Sequence, residues 1–129
     1  MPLHHYGLPV GAHFEVMRDF YIEILKPIGY EIMLQYSGPG YCAFGLPGTN
    51  PDFWLGGGRQ EDGLRTYDGD MSGRICPIHV AFKAEKDVPR QHGAVDNGKP
   101  GTREAYRPGY YAAFVLDPLG NNIELLHLS

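Results

Sequence analysis

The chain has 129 residues, of which 43% are hydrophobic and 20% are charged, as is typical of one soluble globular domain. Its 11 Lys and Arg against 15 Asp and Glu give a formal net charge of −4 without a basic run, so nucleic acid is not expected as a partner. No apolar run approaches the ~20 residues of a membrane span, and no membrane partner is expected either.

The cysteines and the first residues predict a cytoplasmic protein. The chain starts without the charged segment and long apolar run of a secretory signal. Cys42 and Cys76 form no C-x-x-C pair, and two cysteines build no disulfide framework. Two buried thiols in a reducing compartment are therefore expected.

The first half of the chain predicts the order β-α-β-β-β. A short strand at residues 3–8 places His5 and Gly7 on one face and His4 on the other. From residue 12 to residue 26, apolar side chains recur at three- and four-residue steps, which predicts an amphipathic helix. Pro27 and Gly29 end that helix. Three further strands are predicted at residues 31–36, 41–46 and 53–55.

The second half predicts a similar order with a shorter middle. Residues 56–74 contain six glycines without periodicity, which indicates a linker at about 59–73 between module one (1–58) and module two (74–129). The predicted elements that follow are a strand at 75–84, a shortened helix at 85–92, a short strand at 94–97, a loop at 98–109 and a final hairpin with strands at 111–116 and 123–126.

An internal repeat relates the two halves. Residues 41–55 align without a gap on residues 111–125 at a shift of 70, and residues 5–8 resemble residues 79–82 at a shift of 74. The repeat predicts an α+β fold of two β-α-β-β-β modules. If the modules pair edge to edge, their sheets form one curved half-barrel with the helices outside.

Three residues in equivalent strands suggest a metal site. His5 and His79 are each followed two positions later by a small residue, and Glu124 interrupts an apolar strand. An ionised carboxylate buried there without a partner would be costly. Two imidazoles and a carboxylate suit a divalent metal with open positions, and Fe, Mn, Zn and Ni all fit. A single His on a strand is more often satisfied within the core or at its rim, so the argument depends on the three residues together.

The chain resembles the vicinal oxygen chelate superfamily, which contains glyoxalases, bleomycin-resistance proteins and ring-cleaving dioxygenases. The motifs that carry the resemblance, besides the Phe20-Tyr21 helix with Gly29-Tyr30 after it, are LHHYGL (3–8), PDFWL (51–55), HVAF (79–82) and, most specifically, DPLGNNIE (117–124). The resemblance implies paired modules, a divalent metal and substrates chelated through adjacent oxygens.

The ligand positions of that superfamily correspond to His5, Trp54, His79 and Glu124. Glyoxalase I-type members have a carboxylate or similar ligand at the position of Trp54, and an indole cannot coordinate a metal. This departure argues against a typical glyoxalase I and leaves a set of two His and one Glu. A dioxygenase-like member would also need a His or Tyr as acid or base, for which Tyr111 and His127 are the candidates.

Two functions remain open. One is a metal-dependent glyoxalase- or dioxygenase-like enzyme that acts on a small organic molecule chelated through neighbouring oxygens. The other is a metal-free binding protein of the bleomycin-resistance type. Its ligand would stack on aromatic walls. The aromatic residues assigned to those walls are Tyr41, Phe44, Phe53, Trp54 and Tyr111.

Three further expectations follow. Arg103, in a loop rich in Gly and Pro, is expected to bind an anionic group of the substrate. His4, on the opposite face from His5, is expected to be dispensable for metal binding. Because a half-barrel has open sheet edges, the chain is also expected to form a homodimer.

Overall fold

The computed structural model describes residues 3–36, 40–57, 78–84 and 95–129. These residues fall into two compact units, one on each side of residue 65. The predicted linker at 59–73, the shortened helix at 85–92 and Cys76 lie outside the described residues. Within them, no helix has the length and apolar character needed to span a bilayer.

The first unit has the predicted β-α-β-β-β order. Its sheet has the strand order β1-β4-β3-β2, with β1 parallel to β4 and the other pairs antiparallel. The helix is flanked by short 3-10 turns at Gly11–His13 and Lys26–Ile28, and Gly29, at φ 86°, closes it through a hydrogen bond from its N–H to the Lys26 carbonyl. The elements are β1 (Tyr6–Leu8), α1 (Phe14–Leu25), β2 (Glu31–Tyr36), β3 (Tyr41–Gly45) and β4 (Phe53–Leu55).

Aromatic packing between helix and sheet forms the core of this unit. Tyr21 of α1 is fully buried, and its ring centroid lies 4.8 Å from that of Phe53 and 6.5 Å from that of Phe44. Since side chains alternate across a strand, Phe44 and Phe53 face the helix while Ala43 and Trp54 face the other side. The sheet therefore has one face covered by α1 and one face on which Trp54 lies.

The second unit contains a matching four-stranded sheet of order β5-β8-β7-β6. Again the first strand is parallel to the last, and the other pairs are antiparallel. The strands are β5 (His79–Lys83), β6 (Val95–Thr102), β7 (Tyr110–Leu116) and β8 (Asn122–Leu128).

Strand β6 is longer than the sequence predicts. The segment from Gly98 to Thr102 was expected in a loop, but it pairs with β7 as far as Tyr111, with irregular register around Gly98 and Gly101. β6 pairs only with β7 in the described sheet, and an edge strand tolerates glycine and Pro100 because one row of its N–H groups needs no partner strand. The predicted α+β fold of two four-stranded modules is confirmed; the pairing of the two sheets into one half-barrel stays a prediction.

Candidate functional site

The second unit brings two of the predicted ligands together. Nε2 of His79 lies 3.0 Å from Oε2 of Glu124. Glu124 is only 4% exposed, whereas His79 is exposed. The pair therefore combines a buried carboxylate with an accessible imidazole.

Strand register explains why these side chains meet. In the parallel pair of β5 and β8, His79 lies opposite Asn122 and Ala81 opposite Glu124. His79, Ala81 and Glu124 consequently share one face of the sheet. The small side chain of Ala81 leaves the imidazole room to reach the carboxylate.

A tyrosine binds the other carboxylate oxygen. The hydroxyl of Tyr110 donates a hydrogen bond of 2.6 Å to Oε1 of Glu124. This hydrogen bond, together with burial and the negative charge of Glu124, raises the pKa of Tyr110 to about 12, so the hydroxyl stays protonated near neutral pH. Sequence reasoning selected Tyr111 and missed Tyr110; the usable signal was the alternation of side chains across β7.

The second nitrogen of His79 has two possible partners on one residue. Nδ1 of His79 lies 3.1 Å from the backbone oxygen of Asn122 and 3.1 Å from its Nδ2. The side-chain oxygen of Asn122 accepts a hydrogen bond of 2.9 Å from Asn97, which orients the amide. Asn122 can thus accept from a protonated Nδ1 or donate to an unprotonated one, whereas the carboxylate of Glu124 can only accept, from a protonated Nε2.

An aromatic side chain and a cationic side chain lie next to the pair of His79 and Glu124. Phe114 lies opposite Glu124 in the pair of β7 and β8, and its ring is stacked at 6.2 Å from that of His79. The guanidinium carbon of Arg103 lies 5.6 Å from the Phe114 ring centroid. Two N–H groups of Arg103 donate to the carbonyls of Lys99 and Thr102. The backbone thereby holds the cation beside the face that carries the site.

Tyr111 and His127, the candidate acid or base residues, lie on the other face of this sheet. Tyr111 pairs with His127 across β7 and β8. This pair is an odd number of residues along each strand from the pair of Phe114 and Glu124, and side chains an odd number of residues apart point to opposite faces. Nδ1 of His127 lies 3.2 Å from the carbonyl oxygen of Ala84. Both side chains therefore lie on the face opposite Glu124, and their assignments, as acid or base for both and as part of the ligand-stacking wall for Tyr111, stay predictions.

The first unit places the remaining predicted ligand beside Trp54. The ring centroids of His5 and Trp54 are 6.1 Å apart. Strand β1 begins at Tyr6, so residues 4 and 5 do not alternate as the sequence predicts. Instead, Nδ1 of His4 lies 2.9 Å from Nδ1 of His5. The prediction that His4 lies on the opposite face is wrong.

The predicted aromatic wall divides between two faces. Tyr41, Ala43 and Trp54 share the face away from the helix, and Tyr41 packs against the backbone of Gly56. Phe44 and Phe53 are 0% and 2% exposed and pack on the helix. These two residues belong to the core, which corrects their assignment to a ligand-contacting wall, while Tyr41 and Trp54 remain candidates for it.

Within either unit, the described residues contain no group of three or more His, Cys, Asp or Glu side chains close enough to share a metal ion. The pair of His79 and Glu124 is the part of the predicted ligand set that belongs to a single unit. His5 belongs to the other.

Comparison with solved structures identifies the fold. A glyoxalase/bleomycin resistance protein from Albidiferax ferrireducens matches with a TM-score of 0.65 at 20% identity, covering 98% of this chain and 99% of that one. A lactoylglutathione lyase from Agrobacterium tumefaciens matches with a TM-score of 0.58 at 15% identity, covering 95% and 90%. TnmS3, an antibiotic binding protein from Streptomyces, matches with a TM-score of 0.61 at 18% identity, covering 98% and 95%.

No protein-family model matches the sequence, and no curated protein matches it significantly. The fold is that of the glyoxalase, bleomycin-resistance and dioxygenase proteins, as the sequence motifs predict. Because this fold is shared by enzymes and by binding proteins, the function has to be argued from the site.

Proposed function

We propose that this protein is a metal-dependent glyoxalase- or dioxygenase-like enzyme that acts on a small organic molecule chelated through neighbouring oxygens. The observation that carries the proposal is the 3.0 Å separation of His79 Nε2 and Glu124 Oε2 on one face of the second sheet. A buried carboxylate beside an accessible imidazole is an arrangement expected of a ligand pair more than of a surface ion pair.

The donor atoms fit a metal ion. Two donors that each lie about 2.1 Å from one ion at right angles are about 3.0 Å apart. A hydrogen bond from Nδ1 of His79 to the Asn122 carbonyl would leave Nε2 unprotonated, which is the form that coordinates a metal. Glu124 supplies the negative charge that a divalent cation prefers.

Three residues would hold the ion: His5, His79 and Glu124. The assignment of His5 to the same ion comes from the sequence resemblance and from its equivalence to His79 in the repeat. When bound, the ion supplies Lewis-acid stabilisation of negative charge on substrate oxygens. Fe(II), Mn(II), Zn(II) and Ni(II) are all compatible with this donor set.

Other side chains would bind and orient the substrate. Arg103, held by two backbone carbonyls over Phe114, would bind a carboxylate or phosphate group. Trp54 and Tyr41 would form an apolar wall, in which Trp54 takes the place of a fourth ligand. A homodimer remains part of the proposal and is tested by light scattering against a monomer mass of 14.4 kDa.

The second candidate function is metal-free binding of an aromatic compound. It is favoured by the shared face of Tyr41 and Trp54 and by the similarity in fold to TnmS3, an antibiotic binding protein. In that case the hydrogen bond between His79 and Glu124 would have only a structural role, and Trp54 would be the main stacking surface.

A metal titration separates the two candidates. The untreated and the chelator-stripped protein are analysed for bound metal, and Co(II) binding is then measured by calorimetry for the wild type, His79→Ala and Glu124→Gln. We expect one ion per chain in the wild type and its loss in both variants, while His13→Ala, a change of an unrelated histidine, has no effect. A wild type that takes up no divalent metal at micromolar concentrations would refute the enzyme proposal and leave the binding protein.

A further inference from the structure

We propose that Tyr110 is a positioning residue for Glu124: its hydroxyl holds one carboxylate oxygen so that the other faces His79. The inference rests on the proposed function and assigns a role to a residue outside the predicted ligand set. Tyr110 does not itself coordinate the ion in this proposal; it determines which oxygen does.

The two oxygens of Glu124 have separate partners. Oε1 accepts the 2.6 Å hydrogen bond from Tyr110, and Oε2 lies 3.0 Å from Nε2 of His79. The short distance to the tyrosine is typical of a hydrogen bond to a carboxylate, which is about twice as strong as one between neutral groups. The carboxylate is therefore held in one orientation, in which Oε2 faces the imidazole.

The ring of Tyr110 is itself held in place. The backbone oxygen of Tyr110 accepts a 2.7 Å hydrogen bond from Arg103, and its N–H donates to Arg107 at 3.3 Å. The ring of Tyr106 packs edge-on against that of Tyr110, with centroids 5.3 Å apart. A hydroxyl fixed at both backbone and ring can define the position of a carboxylate, which a mobile side chain could not.

Because its two oxygens have separate partners, Glu124 would bind an ion through one oxygen. A glutamate with both oxygens free can bind an ion through two atoms and so occupy two positions around it. With Oε1 occupied by Tyr110, Glu124 offers one atom. One more position then stays open for a substrate that binds through two neighbouring oxygens.

The test compares Tyr110→Phe with Tyr106→Phe in the full chain. Both changes remove one hydroxyl from the same pair of rings, but only the first removes a partner of Glu124. We expect the Co(II) affinity of Tyr110→Phe to fall on the order of 10- to 100-fold, as for other residues that orient metal ligands, and its Co(II) ligand-field absorption at saturation to change. Tyr106→Phe should match the wild type. Equal Co(II) affinity and spectrum in Tyr110→Phe and the wild type would overturn the proposal.

A metal-free measurement separates this inference from the proposed function. In protein labelled with ¹⁵N-histidine, the Nε2 signal of His79 is assigned with His79→Gln and compared among the same variants. Tyr110→Phe should shift that signal because Glu124 is no longer held against the imidazole, and Tyr106→Phe should not. If the wild type binds no Co(II) but the signal shifts, the metal proposal fails and the positioning role stands; an unchanged signal overturns the positioning role.

Discussion

Nδ1 of His4 and Nδ1 of His5 lie 2.9 Å apart, with the two rings nearly perpendicular at 86°. One of the two nitrogens must carry the proton. If His5 donates the proton to His4, Nε2 of His5 keeps a free lone pair. His4 then accepts a hydrogen bond from His5 in the way that the backbone oxygen of Asn122 can accept one from Nδ1 of His79. With His5 as the donor, His4 gives His5 the tautomer that a metal ligand requires.

This contact changes the expectation for His4. Replacing His4 by Ala removes the acceptor that orients His5, so we expect Co(II) affinity to fall by roughly 10-fold, at the lower end of such effects. His5→Ala, which removes a ligand, should cost more, and His13→Ala should cost nothing. Calorimetric titration measures all three. An unchanged affinity in His4→Ala would show that His5 needs no support from its neighbour.

A change at Asn122 is expected to strengthen Co(II) binding, whereas the change at His4 is expected to weaken it. Its Nδ2 can donate to Nδ1 of His79, and this stabilises the tautomer in which Nε2 carries the proton and cannot bind a metal. Asn122→Asp replaces that donor by an acceptor and favours the proton on Nδ1. We expect tighter Co(II) binding in Asn122→Asp, by several-fold.

Asn122→Ala serves as the control for that variant, because it removes the Nδ2 donor without adding a charge. If Asn122→Ala binds Co(II) no more tightly than the wild type while Asn122→Asp does, the added negative charge and not the loss of the donor is responsible for the gain.

The sequence predicted the positions of the helix and the strands better than it predicted which side chains share a face of a sheet. Periodicity and turn residues are local, and they placed β2 and β4 at their observed bounds and α1 within two residues. Which side chains share a face depends on register between strands. In the first sheet Ala43 lies opposite Trp54, whereas in the second Phe114 lies opposite Glu124.

In the gap-free alignment of the two halves, β3 is therefore shifted by one residue against β7, whereas β4 and β8 are aligned correctly. By register, Phe114 corresponds to Ala43, although the sequence identity pairs it with Phe44. A shift of one residue turns every side chain to the other face, so the sequence identity of Phe44 and Phe114 does not place them on equivalent faces; Phe44 lies in the core. The pair of His79 and Glu124 could be predicted because the parallel strands β5 and β8 keep the same register as β1 and β4.

Stability should fall at alkaline pH because groups in the first unit are held in their neutral forms. Burial raises the pKa of the Cys42 thiol to about 11, although the charge of Arg18 lowers it slightly. Burial, and then the hydrogen bond to Asp52, raise the pKa of Tyr30 well above its usual value. In the unfolded chain such groups ionise near pH ~8.5 and ~10. The folded state binds more protons in this range, so unfolding becomes easier as the pH rises.

Chemical denaturation measured from neutral pH to about pH 11 tests this expectation. The stability contributed by these groups should be complete below pH ~8.5 and decline above it. Tyr30→Phe should start less stable and lose less on alkalinisation, because it keeps the ring without the titrating hydroxyl. Tyr36→Phe, at a tyrosine that is 54% exposed, should follow the wild type. Parallel curves for Tyr30→Phe and the wild type would contradict the argument.

Trp54 can report whether the proposed ion binds at His5. It is the only tryptophan in the sequence, and its ring lies 6.1 Å from that of His5. An open-shell ion such as Co(II) quenches a nearby indole, whereas Zn(II), with a filled d shell, does not quench in this way. If His5 and His79 bind the same ion, Co(II) should quench the fluorescence of Trp54 and added Zn(II) should restore it by competition.

The decisive variant lies in the other unit. His79→Ala leaves His5 and Trp54 intact, yet it should abolish the quenching at low Co(II) concentrations because the ion loses a ligand. His5→Ala should do the same, and His13→Ala should quench as the wild type does. Quenching of equal strength and affinity in His79→Ala would mean that Co(II) binds at His5 without His79. The assignment of one ion to His5, His79 and Glu124 would then be wrong, even if the protein binds metal.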